Sequence, residues 1–103
     1  MKYRLSKNFS KTLERLGGKE LRSVLAVLDE VEQAHQLSDL TDCKKLVNFV
    51  NVYRIRIGSR RAFFTFHIEI IDDFIFFRYL VPRGQAYDKA MEQAMRKADQ
   101  EEH

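Results

Sequence analysis

The stretch NVYRIRIGSRRAFFTFH, residues 51–67, carries four arginines and no acidic residue. In its first half apolar residues alternate with arginine, which is the two-residue period of a half-buried β-strand. Gly58-Ser59 then interrupts the alternation, and a glycine in first position is typical of a two-residue type II′ hairpin turn. The stretch therefore predicts a β-hairpin in which residue 56 lies opposite residue 61 and residue 57 lies opposite residue 60.

A third strand is predicted from Phe74 to Val81, after a second two-residue turn at Asp72-Asp73, and Pro82 ends it. Because successive side chains of a strand point to opposite faces, the three strands sort their residues into two sets. The first set is almost wholly apolar and is expected to pack on helices; it holds Tyr53, Ile55, Ile57, Ala62, Phe64, Phe66, Ile68, Ile70, Ile75, Phe77, Tyr79 and Val81. Arg60 shares the parity of this set but lies at the turn.

The second set is rich in charge and consists of Arg54, Arg56, Arg61, Phe63, Thr65, His67, Glu69, Phe76, Arg78 and Leu80. The register places Arg56 opposite Arg61 and His67 opposite Arg78. Like charges in directly opposed positions destabilise a sheet by about 0.2–1 kcal/mol per pair, so solubility alone does not explain them. From Cys43 to Ile68 the chain has six Lys or Arg and no Asp or Glu, which indicates a polyanionic partner.

A cationic and partly aromatic sheet face suits RNA, because arginine binds phosphates bidentately and stacks on bases. The candidate RNA-binding residues are Arg54, Phe63, His67, Arg78, Lys44 and Lys45. Phe63 and Phe76 offer stacking surfaces, and the alternative is that they are covered by a third helix or by a partner. His67 is a weak candidate for a general acid or base, since a lone histidine on a sheet is more often a plain polar residue.

The N-terminal third of the chain predicts a strand followed by a helical hairpin. A strand over Lys2–Leu5 precedes a helix that Asn8 or Ser10 caps, and Gly17-Gly18 ends this helix near Leu16. The apolar rhythm of a second helix runs from Lys19 to about Ala34. The polar segment 35–45 is expected to be a loop.

The predicted fold class is α+β in a single domain spanning residues 1–103, which is an ordinary length for one core. A small antiparallel sheet, the N-terminal strand plus the three-stranded meander, packs on the N-terminal helical hairpin. Residues 85–103 form a C-terminal helix and charged tail. Cys43 is the only cysteine, which excludes an internal disulfide. The absence of a signal-like or membrane-spanning run predicts a cytoplasmic protein without membrane contact.

The order strand, helical hairpin and meander, with VYRIRIGSRRAFF followed by YLVPRGQAY, resembles the RelE/ParE toxin superfamily of bacterial toxin–antitoxin systems. It looks more like the RelE branch, whose members enter the ribosomal A site and cut mRNA through attack of the ribose 2′-OH, without a metal or cofactor. The resemblance covers residues 2–90 in element order. It implies catalytic roles for Arg56, Arg61, Arg83 and Tyr87, with Arg54 beside them. Since arginine is effectively always protonated, Arg54 and Arg56 are not general bases.

Three functions stay open at this point. The favoured one is a ribosome-dependent mRNA endonuclease, and the second is a ParE-like toxin that blocks DNA gyrase. The third is a non-catalytic RNA-binding relic of the fold. Both toxin hypotheses imply a cognate antitoxin, for which Phe63, Phe76 and Leu80 would suit an apolar contact. Direct DNA binding by this chain is not expected.

Overall fold

A five-stranded mixed sheet forms the middle layer of the protein, between a helical hairpin and a third helix. The structure, a computed structural model, describes residues 1–69, 73–82 and 89–101. The α+β class is confirmed, and the strand order is β1-β5-β4-β3-β2. The elements are β1 (Lys2–Leu5), α1 (Lys7–Glu14), α2 (Gly18–Gln33), β2 (Cys43–Lys45), β3 (Val52–Ile57), β4 (Arg60–His67), β5 (Phe74–Pro82) and α3 (Lys89–Glu101).

The hairpin between β3 and β4 has the predicted two-residue turn. Arg56 lies opposite Arg61 and Ile57 lies opposite Arg60. Gly58 has a φ of +57° whereas Ser59 has no positive φ, as a type II′ turn requires. The turn therefore sets the register that the sequence pattern predicts.

Helix α1 begins earlier than predicted, because Ser6 rather than Asn8 or Ser10 is its N-cap. The Ser6 Oγ accepts a hydrogen bond from the Phe9 backbone N–H at 3.0 Å. Ser6 also binds β5, donating from Oγ to the carbonyl oxygen of Arg78 at 2.7 Å. The junction between β1 and α1 is thereby tied to the sheet, and the helix starts as soon as the strand ends.

The expectation of a loop over residues 35–45 is wrong. A short 3-10 turn forms at Leu37–Asp39, and β2 pairs antiparallel with β3, with Lys44 opposite Arg54. A strand of three residues is too short to show a period in sequence, so its formation depends on the partner strand. The N-terminal strand also departs from the prediction of an antiparallel sheet, because β1 runs parallel to β5.

A β-bulge in β5 overturns part of the predicted register. Phe63 lies opposite Tyr79 and Phe64 opposite Phe77, so Arg78 is the extra residue. His67 lies opposite Phe74, not opposite Arg78, because six residues, 68–73, separate β4 from β5 where a two-residue turn was predicted. Strand β4 ends at His67, and Ile70 and Asp72 of the predicted strand and turn lie outside the described residues.

The bulge also reverses three side-chain assignments. Leu80 packs in the core beneath the helical hairpin, while Tyr79 and Val81 pack on the opposite side of the sheet. The physical reason is that one extra residue shifts the alternation of every residue that follows it.

The main core lies between the sheet and the hairpin of α1 and α2, on what we call the helical face. Its centre is aromatic: the ring centroid of Phe77 lies 5.2 Å from that of Phe9 and 5.6 Å from that of Phe64. Val24, Leu28 and Val31 supply the buried stripe of α2. Such aromatic contacts stabilise a fold beyond their buried area, so the helical face carries most of the packing.

Helix α3 covers part of the opposite, outer face of the sheet. Met95 is fully buried against Val52 and Phe63. The buried Asp99 carboxylate accepts hydrogen bonds from the backbone N–H groups of Val50 at 2.9 Å and Asn51 at 2.6 Å. The helix is thus fixed both to the sheet and to the loop that leads into β3. Of the helices described, none is long and apolar enough to cross a membrane.

Replacing Gly58 with alanine is expected to destabilise the protein by about 1–2 kcal/mol, because a Cβ disfavours the left-handed backbone of the turn. Ser59→Ala in the same turn is the matched control and should change the free energy of unfolding by less than about 0.5 kcal/mol. Urea unfolding of both variants measures the difference. Equal stability of the two variants would contradict the turn assignment.

Candidate nucleic-acid interface

Four cations lie together on the outer face, close to the Gly58 turn. Lys44 of β2 is opposite Arg54 of β3, and Arg56 of β3 is opposite Arg61 of β4. Side chains two residues apart on a strand share a face, so Arg54 and Arg56 join the two pairs. We call Lys44, Arg54, Arg56 and Arg61 the basic cluster.

No carboxylate of the described residues forms an ion pair with the basic cluster. The ion pairs found among the described residues join Arg60 to Glu20 and Arg96 to Glu92, so neither of them involves the basic cluster. Within the same residues, Arg54 Nη1 and Arg61 Nε are buried and have no hydrogen-bond acceptor. A buried donor without a partner costs about 1–3 kcal/mol, and more when it is charged. The cluster is therefore arranged for an anion that the described residues do not supply.

The environment of Arg54 shows the resulting positive field. Burial lowers its pKa from the ordinary arginine value, and the charges of Arg56 and Arg61 lower it further. The neighbouring Asp42 acts in the opposite direction. Arginine stays protonated near neutral pH, so burial and the neighbouring charges raise the free energy of the charged guanidinium. A bound phosphate would lower it.

Cys43 borders the basic cluster in β2. Burial raises the pKa of its thiol to about 11, although the nearby Arg54 charge opposes this shift. The thiol is therefore neutral near pH 7 and is not an activated nucleophile.

Helix α3 divides the outer face into two regions. It packs over Val81 and Tyr79 of β5, Phe63 of β4 and Val52 of β3, which form a diagonal across the sheet. The basic cluster lies on the side of this diagonal towards the Gly58 turn. His67 and Arg78 lie on the other side, so the structure does not bring them to the basic cluster.

His67 is held in a buried network. Its Nε2 lies 2.7 Å from Thr65 Oγ1, which also accepts a hydrogen bond from Arg78 Nε at 3.1 Å. The imidazole stacks on Phe74 with 4.4 Å between ring centroids. These contacts, and the position beyond α3, keep the His67 imidazole away from the basic cluster, which has no histidine beside it among the described residues.

The apolar residues predicted to contact a partner differ in their exposure. Phe63 is only 4% exposed and packs beneath α3, which is the arrangement that the covering alternative expects. Phe76 is half-buried, with the guanidinium carbon of Arg78 4.3 Å from its ring centroid. Leu80 is buried in the helical core, which also removes it from the predicted antitoxin contact.

The remaining predicted residues fall in three places. Lys45 pairs with Tyr53 and so shares the parity of the helical face rather than that of the basic cluster. Arg60 binds Glu20 of α2 at 3.3 Å, as its parity predicts. Arg83 and Tyr87 lie outside the described residues. In the described ranges, no group of three or more His, Cys, Asp or Glu is placed to hold a metal ion.

The fold and the basic cluster define a small α+β domain that is suited to binding a polyanion. No protein-family model matches the chain. Toxin RelE3 of Methanocaldococcus jannaschii is 34% identical over 89 residues, which are 85% of this chain and 97% of the relative. The chain belongs to the RelE toxin family.

Two solved structures support this assignment. In the RelB–RelE antitoxin–toxin complex from Methanococcus jannaschii, the similar chain is 28% identical, with a TM-score of 0.63 over 82% of this chain and 95% of that one. In the archaeal RelE–RelB complex from Pyrococcus horikoshii OT3, the values are 26% and 0.64, over 82% and 97%.

Raising the pH should destabilise the folded protein through Cys43. Its pKa of about 11 lies above the ordinary value of about 8.5, so the neutral thiol favours the folded state at lower pH. This contribution is present below about pH 8.5 and is lost as the pH rises towards 11. We expect the free energy of unfolding to fall more steeply over that range in the native protein than in Cys43→Ala. The free energy of unfolding is measured by urea unfolding at each pH under reducing conditions. The same pH dependence in both proteins would contradict the burial of the thiol.

Proposed function

We propose that this RelE-family chain is a toxin that cleaves mRNA in the ribosomal A site and so inhibits translation. The observation that carries the proposal is the basic cluster, in which Arg56 and Arg61 lie opposite each other without a carboxylate partner among the described residues. Like charges are tolerated in such positions when function requires them. An RNA backbone supplies the missing negative charge.

Cleavage in this scheme is an internal transfer of the phosphate. The ribose 2′-oxygen attacks the adjacent phosphorus, the bond to the 5′-oxygen breaks, and the products carry a 2′,3′-cyclic phosphate and a 5′-hydroxyl group. Extra negative charge develops on the non-bridging oxygens before the leaving bond breaks. Arg56 and Arg61 would bind these oxygens, and electrostatic stabilisation of this kind is usually the largest catalytic effect.

Proton transfer has to come from groups other than the described arginines. The 2′-OH loses a proton and the 5′-oxygen gains one, whereas an arginine does not exchange its proton near neutral pH. His67 is engaged with Thr65 and lies beyond α3. Arg83 and Tyr87, implied by the family resemblance, remain the proposed groups for the leaving oxygen and for proton transfer or base stacking.

A cognate antitoxin is the proposed protein partner. Both similar solved structures are complexes of a RelE chain with RelB. An antitoxin that presents acidic side chains would compensate the basic cluster, which would place inhibition and RNA binding on one surface.

The sharpest test compares two adjacent arginines of β4. Arg61→Gln should reduce cleavage of ribosome-bound mRNA by about 10²- to 10³-fold, because it removes a donor to the developing charge. Arg60→Gln, whose side chain binds Glu20 on the helical face, should leave cleavage within a few-fold of the native rate. Primer extension on ribosome-bound message, after induction of each variant, reports the cuts.

Loss of growth arrest should accompany loss of cleavage in Arg61→Gln alone. Equal cleavage by Arg60→Gln and Arg61→Gln would exclude the proposed role of Arg61, and no cleavage by the native protein would exclude the nuclease function. Intact message together with a DNA-damage response would favour inhibition of gyrase. RNA binding without cuts in the native protein would indicate a non-catalytic member of the fold.

A further inference from the structure

We propose that Lys44 and Arg54 form a second phosphate-binding subsite, next to the phosphate that Arg56 and Arg61 would hold. The inference rests on the proposed function for the identity of the ligand, an RNA strand. It goes beyond that function by adding a residue from the edge strand β2 and a direction for the bound strand. The RNA would run from β4 across β3 towards β2.

The first supporting observation is a pocket at the β2 edge of the basic cluster. It has a volume of about 230 Å³ and is lined by Leu40, Asp42, Cys43, Lys44, Arg54 and Arg56. Three of its six lining residues are cations and one is an acid, so its net charge is positive. The buried Nη1 of Arg54, which lacks an acceptor among the described residues, belongs to a residue of this pocket.

The second observation is the length of the basic cluster. Arg54 and Arg56 are two residues apart on β3, a separation of about 6.6–6.8 Å in a strand. Lys44 lies one strand further out than Arg54, in the same row. The cluster is therefore longer than a single phosphate group, and its outer end has cations that the scissile phosphate alone does not use.

The third observation concerns Lys44 itself. Its side chain is exposed, and no carboxylate of the described residues pairs with it. Lys45 follows it directly and is also exposed, but has the opposite parity in β2. Adjacent lysines with opposite parities provide a matched pair for testing which face binds the RNA.

Asp42 would set the strength of the subsite. It is near enough to Arg54 to raise the pKa of the guanidinium, and it lines the same pocket. A carboxylate there repels a phosphate. Asp42 has a φ of +54°, a conformation that asparagine also adopts readily, so Asp42→Asn removes the charge without disturbing the turn.

The experiment measures binding of 2′-O-methyl RNA, which cannot be cleaved because its nucleophile is blocked. A tetranucleotide with three phosphodiesters is compared with a dinucleotide that has one. Lys44→Gln should weaken tetranucleotide binding about fivefold at low salt and lower the salt slope by about 0.7, as loss of one single-strand phosphate contact requires. Dinucleotide binding should not change.

The controls fix the interpretation. Lys45→Gln should leave both affinities unchanged, and Asp42→Asn should tighten tetranucleotide binding. Equal losses in Lys44→Gln and Lys45→Gln would overturn the subsite, as would no tetranucleotide binding by the native protein. Binding of an acidic peptide of equal charge, with the same affinity of Lys44→Gln and the native protein for the tetranucleotide, would assign the pocket to a protein partner instead and would also overturn the subsite.

Failure of the subsite and failure of the proposed function give different results. If Lys44→Gln binds the tetranucleotide like the native protein while Arg61→Gln loses cleavage, the subsite is wrong and the nuclease function stands. If the native protein never cuts ribosome-bound message but Lys44→Gln shows the selective loss, the subsite stands and the nuclease function is wrong.

Discussion

The two-residue turn at Gly58-Ser59 determines which arginines share a face, and the rest of the site depends on it. The turn pairs Arg56 with Arg61 on the outer face. Since side chains alternate along each strand, Tyr53, Ile55 and Phe64 then lie on the helical face, in the core. A shift of either strand by one residue would turn the outer-face arginines of that strand towards the core. The aromatic packing on one face therefore maintains the charge concentration on the other.

The basic cluster is a local source of instability that the remaining fold offsets. Opposed arginines repel each other, and two buried guanidinium N–H groups lack acceptors within the described residues. The core beneath α1 and α2, together with the docking of α3 through Met95 and Asp99, holds the sheet in place against this repulsion. A surface arranged in this way gains most when an anion binds, since binding removes a cost already present in the free protein.

Sequence periodicity predicted the parts of the structure that depend on local alternation. The parity of Arg54, Arg56 and Arg61 follows from the strands and the turn alone, and so does the separate position of Arg60. Features set by tertiary contacts were not predictable. The bulge at Arg78 has no signal in the sequence, and β2 is too short to show a period.

The position of α3 determines the exposure and the neighbours of several residues for which the strand pattern alone left alternatives open. Phe63 is buried because α3 covers it, and the same helix separates His67 from the basic cluster. We propose that the outer face, and not the helical face, binds the RNA backbone. Arginine Nε–Hε NMR signals recorded with non-cleavable RNA test it most directly. The Arg61 Nε–H, unpaired among the described residues, should shift downfield as it gains an acceptor, and that of Arg60 should not move. A shift at Arg60 with none at Arg61 would contradict the account.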